Sequence, residues 1–305
     1  MSSATRVTVV GEVLVDMLWR LGEQPRLTPG GSPANVAVGL KRLGRPASLV
    51  TAWVNDPPGQ IVNAHLRSTG VDIVRVPSAS LRTPLAVAYV DENGSASYEF
   101  LATWDPHILP LPADTAILHT GSLAVVVEPG ASYVLKLCRE VRAQGRTLVV
   151  ADLNVRPAVQ PDRIVYREMA LTLATATDVI KASDEDLAWL FPNMQPIDAA
   201  RALLAKGPRL VVVTQGRHGA LALTSNGDVH IPAPQVQVAD TVGAGDAFQA
   251  ALLDCLADAG IPTAPARLTQ VLSRCAMAAA LNCTRIGSSP PTQQELQSAL
   301  LRSQT

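Results

Sequence analysis

Asp240-Thr-Val-Gly-Ala-Gly-Asp246 places a small-residue turn directly before an apolar segment of helical spacing, Phe248, Ala251, Leu252, Cys255, Leu256 and Ala259, closed by Gly260. The first N–H groups of such a helix lack partners and its dipole adds positive potential, so the place suits an anion such as phosphate. Asp246 in that first turn would repel a phosphate. It becomes useful if it takes a proton from a hydroxyl that attacks phosphorus, which points to phosphoryl transfer with Asp246 as general base. The competing reading is a pair of turn glycines and an acidic residue that merely complements the dipole. A dinucleotide fingerprint does not fit, because Phe248 stands where the third glycine of G-x-G-x-x-G belongs, and no Gly-Lys-Ser/Thr of a Walker A loop occurs.

Other residues fall where an open α/β sheet binds ligands. Gly11-Glu-Val-Leu-Val-Asp16 follows the apolar run Val7–Val10, so Asp16 is either a ligand contact past a strand end or a loop residue. Gly30-Gly-Ser-Pro-Ala-Asn35 opens a helix ended by Gly44. Its glycines permit close backbone approach, and Asn35 offers both donor and acceptor, as a sugar hydroxyl requires, or else only a polar first turn. Asp152-Leu-Asn-Val-Arg156 ends the strand Thr147–Ala151. Arg156 suits a phosphate or sugar oxygen, and equally a structural pair with Asp152. Ser183-Asp-Glu-Asp186 reads as a capped helix start after the strand Asp178–Lys181.

The elements that must position these groups alternate strand and helix along the chain. Strands are expected at Ala47–Ala52, Ala116–His119, Arg209–Thr214 and Val236–Ala239, and helices at Ser132–Ala143, Pro265–Leu281 and from Gln293. Such alternation implies a mainly parallel sheet covered on both faces. Leu85–Val90 and Ser95–Leu101 break the pattern as a hairpin around Asp91-Glu-Asn-Gly94: a lid, an oligomer contact or a plain surface hairpin. A second hairpin joins Ala220–Thr224 to Asp228–Ile231.

With 305 residues, 48% of them hydrophobic, the chain can bury a large core; a net charge of −1 without basic tracts argues against nucleic acid. Four cysteines show no metal-ligand spacing and read as reduced thiols. No signal peptide or membrane-length apolar run appears, and a soluble cytoplasmic protein is expected.

The chain resembles the ribokinase-like (PfkB) carbohydrate kinases over nearly its whole length. Gly30–Asn35 matches the family's N-terminal motif and Asp240–Leu253 its C-terminal motif, in order and about 200 residues apart. Gly11 to Asp16, the Asp152–Arg156 run and Ser183–Asp186 are most similar to bacterial fructokinases and 2-keto-3-deoxygluconate kinases. The resemblance implies a single α/β/α domain over 1–305, three layers with a mainly parallel central sheet, and a small β-sheet lid from about 12–29 and 82–104 that mediates homodimerisation.

It further implies an ATP- and Mg²⁺-dependent sugar kinase. Asp246 would be the base, with the N–H groups of Gly243, Ala244 and Gly245 holding the transferred phosphoryl group. Asp16, Gly30, Gly31, Asn35 and Arg156 would touch the sugar. Lys181, Thr214, Gly216, Gly219, Gly243, Gly245 and Asn282 would touch ATP. Asp186 would act on Mg²⁺ through water, and K⁺ would sit beside Asp240 and Val242, as in several relatives. Four positions depart from the family pattern: Val54 replaces a glycine, Ser183 and Asp186 replace an Asn and a Glu, and Gln249 replaces a small residue expected beside the substrate. No Lys or Arg occurs from Tyr89 to Trp104, which favours a neutral sugar, although Arg82 or Arg156 could reach an acid. Fructose is the leading substrate; 2-keto-3-deoxygluconate, ribose or a nucleoside, and a non-catalytic sugar-binding protein on the same scaffold, are the alternatives.

Overall fold

A computed structural model describes residues 5–20, 22–91 and 96–303. The first part of the chain forms β1 (Arg6–Val10), β2 (Leu14–Arg20), β3 (Arg26–Gly30), α1 (Ser32–Arg42), β4 (Ala47–Thr51), α2 (Pro57–Thr69) and β5 (Asp72–Arg75). Next come β6 (Leu85–Val90), β7 (Ala96–Leu101), β8 (Thr115–Gly121), α3 (Gly130–Gln144), β9 (Leu148–Asp152), α4 (Arg163–Ala174), β10 (Val179–Ser183), α5 (Asp184–Leu190) and α6 (Pro196–Leu204). The chain finishes with β11 (Leu210–Thr214), β12 (Ala220–Thr224), β13 (Gly227–Ile231), α7 (Ala244–Ala259), α8 (Pro265–Cys283) and α9 (Gln293–Arg302).

Nine strands form the large sheet in the order β13-β12-β11-β10-β9-β8-β1-β4-β5, parallel except for the hairpin strands β12 and β13. Alternate strand residues face opposite layers, as period-2 geometry requires. Val7, Leu49 and Val212 pack with α1, α2, α7 and α8, whereas Val10 and Val50 pack with α3, and Val211 and Val213 with α4 to α6. The chain is therefore three-layered, as expected. Its strand order reverses direction between β1 and β8, the switch point outside which doubly wound sheets bind ligands.

The small sheet runs β3-β2-β6-β7. Leu14 and Ala86 from it meet Leu123, just past β8, in a separate apolar cluster. The β6–β7 pairing bears out the hairpin strands; its turn at 92–95 lies outside the described residues. Sequence periodicity missed β2, β3 and β5, because these short, half-exposed strands carry no sustained alternation.

The expected strand at Val236–Ala239 does not form. Pro232 and Pro234 lead into it and lack the N–H a sheet ladder needs. The segment instead hangs from the end of α8, where Ala239 and Asp240 both donate their N–H groups to the Cys283 carbonyl.

Candidate active site

Two helix starts face each other near the switch point. α1 begins after Gly31, whose φ of 104° is natural only to glycine, and whose α-carbon leaves no room for a side chain against the Glu12 carbonyl. α7 begins after Gly243, with φ 76° and no room for a side chain against Ser288. The helices pack against each other through Gly39 and Ala250. This brings Ser32 and Asn35 onto the Asp246 carboxylate: Ser32 Oγ donates to Oδ1 at 2.6 Å and Asn35 Nδ2 to Oδ2 at 2.8 Å. Burial raises the Asp246 carboxyl above its ordinary value, Ser32 and Asn35 oppose the rise, Asp152 adds to it and Lys181 reduces it. A carboxylate so held keeps free lone pairs for a hydroxyl and binds a proton more readily than an exposed Asp.

Asp16 lies on β2 of the small sheet and reaches the same cleft. A side chain at Gly30 would collide with its carboxylate, so that glycine makes the space Asp16 occupies. Burial raises the Asp16 carboxyl to about 6; Arg156 pulls it down and Asp246 pushes it up. Asp16, Arg156 and Asp246 thus form one electrostatic group drawn from β2, the loop after β9 and α7. The Arg156 guanidinium also donates to the neighbouring Val155 carbonyl at 3.0 Å.

Below the glycine turn, Lys181 Nζ and Asp152 Oδ2 form an ion pair at 2.6 Å, both side chains almost fully enclosed. Lys181 Nζ lies 3.7 Å from the point a Cβ on Gly245 would occupy, directly under the anion-binding turn. Lys181, expected to touch ATP, thus holds its ammonium in a buried pair with Asp152 beside the turn. In the turn itself, the N–H of Ala244 donates back to the Thr241 carbonyl at 3.2 Å. Among the described residues, the N–H groups of Gly243 and Gly245 make no such backbone bond and remain for an anion.

Three further residues are tied to partners inside the protein. Asp186 spends one oxygen on the Ser183 N–H (2.8 Å) and the other on the Val155 N–H (2.9 Å), completing a capping box for α5. It holds the loop that carries Arg156, and no group of three His, Cys, Asp or Glu among the described residues could hold a metal ion. Asn282, expected to touch ATP, is wholly buried; its amide donates to the Val242 carbonyl (2.7 Å) and accepts from the Ser289 N–H (2.9 Å), clamping two loops. Gln249 is also wholly buried, 3.3 Å from His119 Nδ1, and does not border the cleft.

Thr214 ends β11 next to Ser183 of β10. Gly216 and Gly219 follow with φ of 50° and 102° in a tight turn, where Gln215 N–H meets the Gly219 carbonyl at 2.8 Å. Gly216 faces open space, whereas Gly219 is forced by the Ile231 carbonyl of β13. Beside the α7 turn, Asp240 accepts N–H groups from Val242 (3.0 Å) and Gly287 (2.8 Å).

Ser32 was missed as a site residue. Its i, i+3 spacing from Asn35 puts both on one face of α1, a signal the sequence does hold. The Lys181–Asp152 pair was missed because only sheet register, with the two residues directly paired across β10 and β9, brings them together.

A carboxylate held at a helix start, opposite a second glycine-led helix and under a small sheet, suits a phosphotransferase of the three-layer α/β class. The chain belongs to the pfkB family of carbohydrate kinases, whose profile matches residues 4–295. A fructokinase of Rhizobium leguminosarum bv. trifolii is 35% identical over 263 residues, 81% of this chain and 78% of its own. A Xylella fastidiosa fructokinase solved with bound ATP superposes with a TM-score of 0.86 at 26% identity, covering 99% of this chain and all (100%) of the other. A Vibrio cholerae fructokinase variant, solved with fructose, ADP and potassium ion, gives 0.83 at 27% identity, over 98% and 99% of the two chains. The chain is thus a sugar kinase of a ribokinase-like fold. Among the described residues, no helix is long and apolar enough to cross a membrane.

Proposed function

We propose that this chain is an ATP-dependent fructokinase that converts D-fructose to fructose 6-phosphate, with Asp246 as general base. The observation that carries the reading is Asp246 itself, fixed by Ser32 and Asn35 at the start of α7 beside free N–H groups of the glycine turn. The sugar lies between Asp16, Asn35 and Arg156, under the small sheet acting as a lid. Its primary hydroxyl gives its proton to Asp246 as the oxygen attacks the γ-phosphorus. Gly243 and Gly245 N–H groups, with Lys181 beneath, receive the charge on the transferred group. Thr214 to Gly219 borders the nucleotide.

Mg²⁺ would arrive on the ATP phosphates and keep most of its waters, as this ion does in kinase sites. K⁺ is placed beside Asp240 and Val242. No Lys or Arg pairs with Asp240 among the described residues, so its carboxylate charge is available to a cation. The small sheet is assigned as a homodimer contact, supported by Trp19, Leu27, Tyr89 and Leu101 exposed on it. The cytoplasm is the compartment this chemistry implies.

A sugar acid is the second reading, because Arg156 puts a cation in the cleft. Asp16 already answers that guanidinium, and this balance favours a neutral sugar. ATP turnover over a panel of fructose, ribose, 2-keto-3-deoxygluconate and nucleosides tests the assignment. Fructose is expected to give the highest kcat/KM. A preference for the sugar acid would replace it, and binding without turnover would mean a sugar-binding protein.

A further inference from the structure

A row of polar side chains crosses the α7-facing side of the large sheet. Ile117, Val150 and Val179 pack in the core cluster shared with α1, α7 and α8. Period-2 geometry therefore sets His119 of β8, Asp152 of β9 and Lys181 of β10 on that same side, on strands in adjacent register. Lys181, paired with Asp152, lies beneath the glycine turn, whereas the proposed transfer makes no use of His119. Burial lowers the His119 imidazole to about 4, Asp152 and the Val150 carbonyl opposing the fall and Lys181 adding to it, so the ring is neutral at neutral pH.

His119 meets α7 through Gln249. The Gln249 amide nitrogen lies 3.3 Å from His119 Nδ1, and the same ring nitrogen lies 3.2 Å from the Val150 carbonyl of β9. Gln249 is 0% and His119 1% exposed. Among the described residues, the Gln249 amide oxygen has no hydrogen-bond partner. A buried, half-satisfied amide carries a desolvation penalty that a leucine there would avoid, so stability alone does not favour a glutamine. Ala247, Ala250 and Ala251 of the same helix are buried too, but apolar packing has no direction. α7 thus has two polar supports on the sheet: Lys181 near Gly245 and His119 against Gln249.

We propose that Gln249 and His119 are positioning residues for phosphoryl transfer, their contact fixing how far α7 turns about its own axis. Gln249 follows Asp246 by three residues, which puts it about 60° away around the helix and about 4.5 Å along it. A turn of α7 that releases Gln249 from His119 would swing the Asp246 carboxylate away from Ser32 and Asn35, which hold it. A misplacement of about 1 Å at a reacting group can cost about 10²-fold in rate. Both residues act through Asp246 and not on the sugar. The inference rests on the reading of Asp246 as general base.

The test compares two His119 variants of the full chain in steady-state kinetics, with ATP and the sugar of highest kcat/KM, and in thermal unfolding. His119→Phe keeps the ring and loses the nitrogen; His119→Asn loses the ring and keeps a polar atom in the place of Nδ1. His119→Phe is expected to lower kcat by about 10–100-fold with little change in either KM, and His119→Asn to keep most of it. A residue that only fills space would give the opposite order, because Phe preserves the packing. Gln249→Met, which keeps the length and removes the amide, is expected to match His119→Phe and serves if that variant does not fold. Asp246→Asn in the same assay separates the two readings. If it keeps its kcat, the general-base reading fails. If it loses kcat while folded His119→Phe and Gln249→Met stay at the wild-type value, or if His119→Asn is the less active His119 variant, the positioning role alone is overturned.

Discussion

Asn35 donates its side-chain amide to the Asp246 carboxylate across 2.8 Å of space and 211 residues of sequence. The bond joins the starts of α1 and α7, the two helices that the glycine-led motifs create. With Ser32 on the other oxygen, it sets the direction in which Asp246 can accept a proton and holds down the rise that burial imposes. Ser32→Ala removes one of these donors, so the Asp246 carboxyl should rise further and the acid limb of the kcat profile should move to higher pH. A hydrogen bond to a charged group contributes about 1.5–3 kcal/mol, so a shift of about one to two pH units is expected. An unchanged acid limb would break the link between Ser32 and the base.

The Lys181–Asp152 pair sits under the same turn, and its two members act on Asp246 in opposite directions. Lys181→Met strands a buried carboxylate and should cost about 3–5 kcal/mol in urea unfolding, while a Lys181→Met, Asp152→Leu double variant should recover much of that loss. Asp152→Asn should move the acid limb of kcat to lower pH, since the Asp152 charge raises Asp246.

Glu12 joins β1 to the small sheet and is fully buried, accepting N–H groups from Leu123 and Ala124 at 3.4 and 3.1 Å. Burial raises its carboxyl from 4.5 to about 7. Its stabilisation is complete below the unfolded value, fades as pH rises from 4.5 to about 7, and is absent above that. The linked change is on the order of 3 kcal/mol. Glu12→Gln should flatten the pH dependence of thermal stability in that window. A wild-type slope that persists in the variant would assign the effect to another group.

Asp186→Ala should lose the α5 capping box and the bond to Val155, lowering stability by about 2 kcal/mol, the upper range for a helix cap. The Mg²⁺ concentration giving half-maximal kcat should stay put. A large increase in that concentration would restore Asp186 to the metal.

Most of the architecture was legible because it is written in local pattern. Continuous apolar runs such as Arg209–Thr214 mark parallel strands, and Gly243 and Gly260 bracket α7 as turn chemistry requires. Asp246 stood out for the same local reason. What stayed hidden depends on distant partners. Nothing near Gln249 says that it turns inward to His119, and nothing near Asn282 says that its amide is needed by the Val242 carbonyl. Asp186 shows the reverse case: its local reading as a cap was right, and each of its oxygens accepts one backbone N–H.

The central claim is that Asp246 takes the proton of the attacking hydroxyl. Steady-state kinetics of Asp246→Asn with fructose and ATP, alongside its thermal unfolding, tests this most directly. The variant should fold with an unchanged melting transition and lose about 10²–10⁴-fold in kcat, the usual contribution of a general base, with little change in KM. A folded variant that keeps near wild-type kcat would contradict the account.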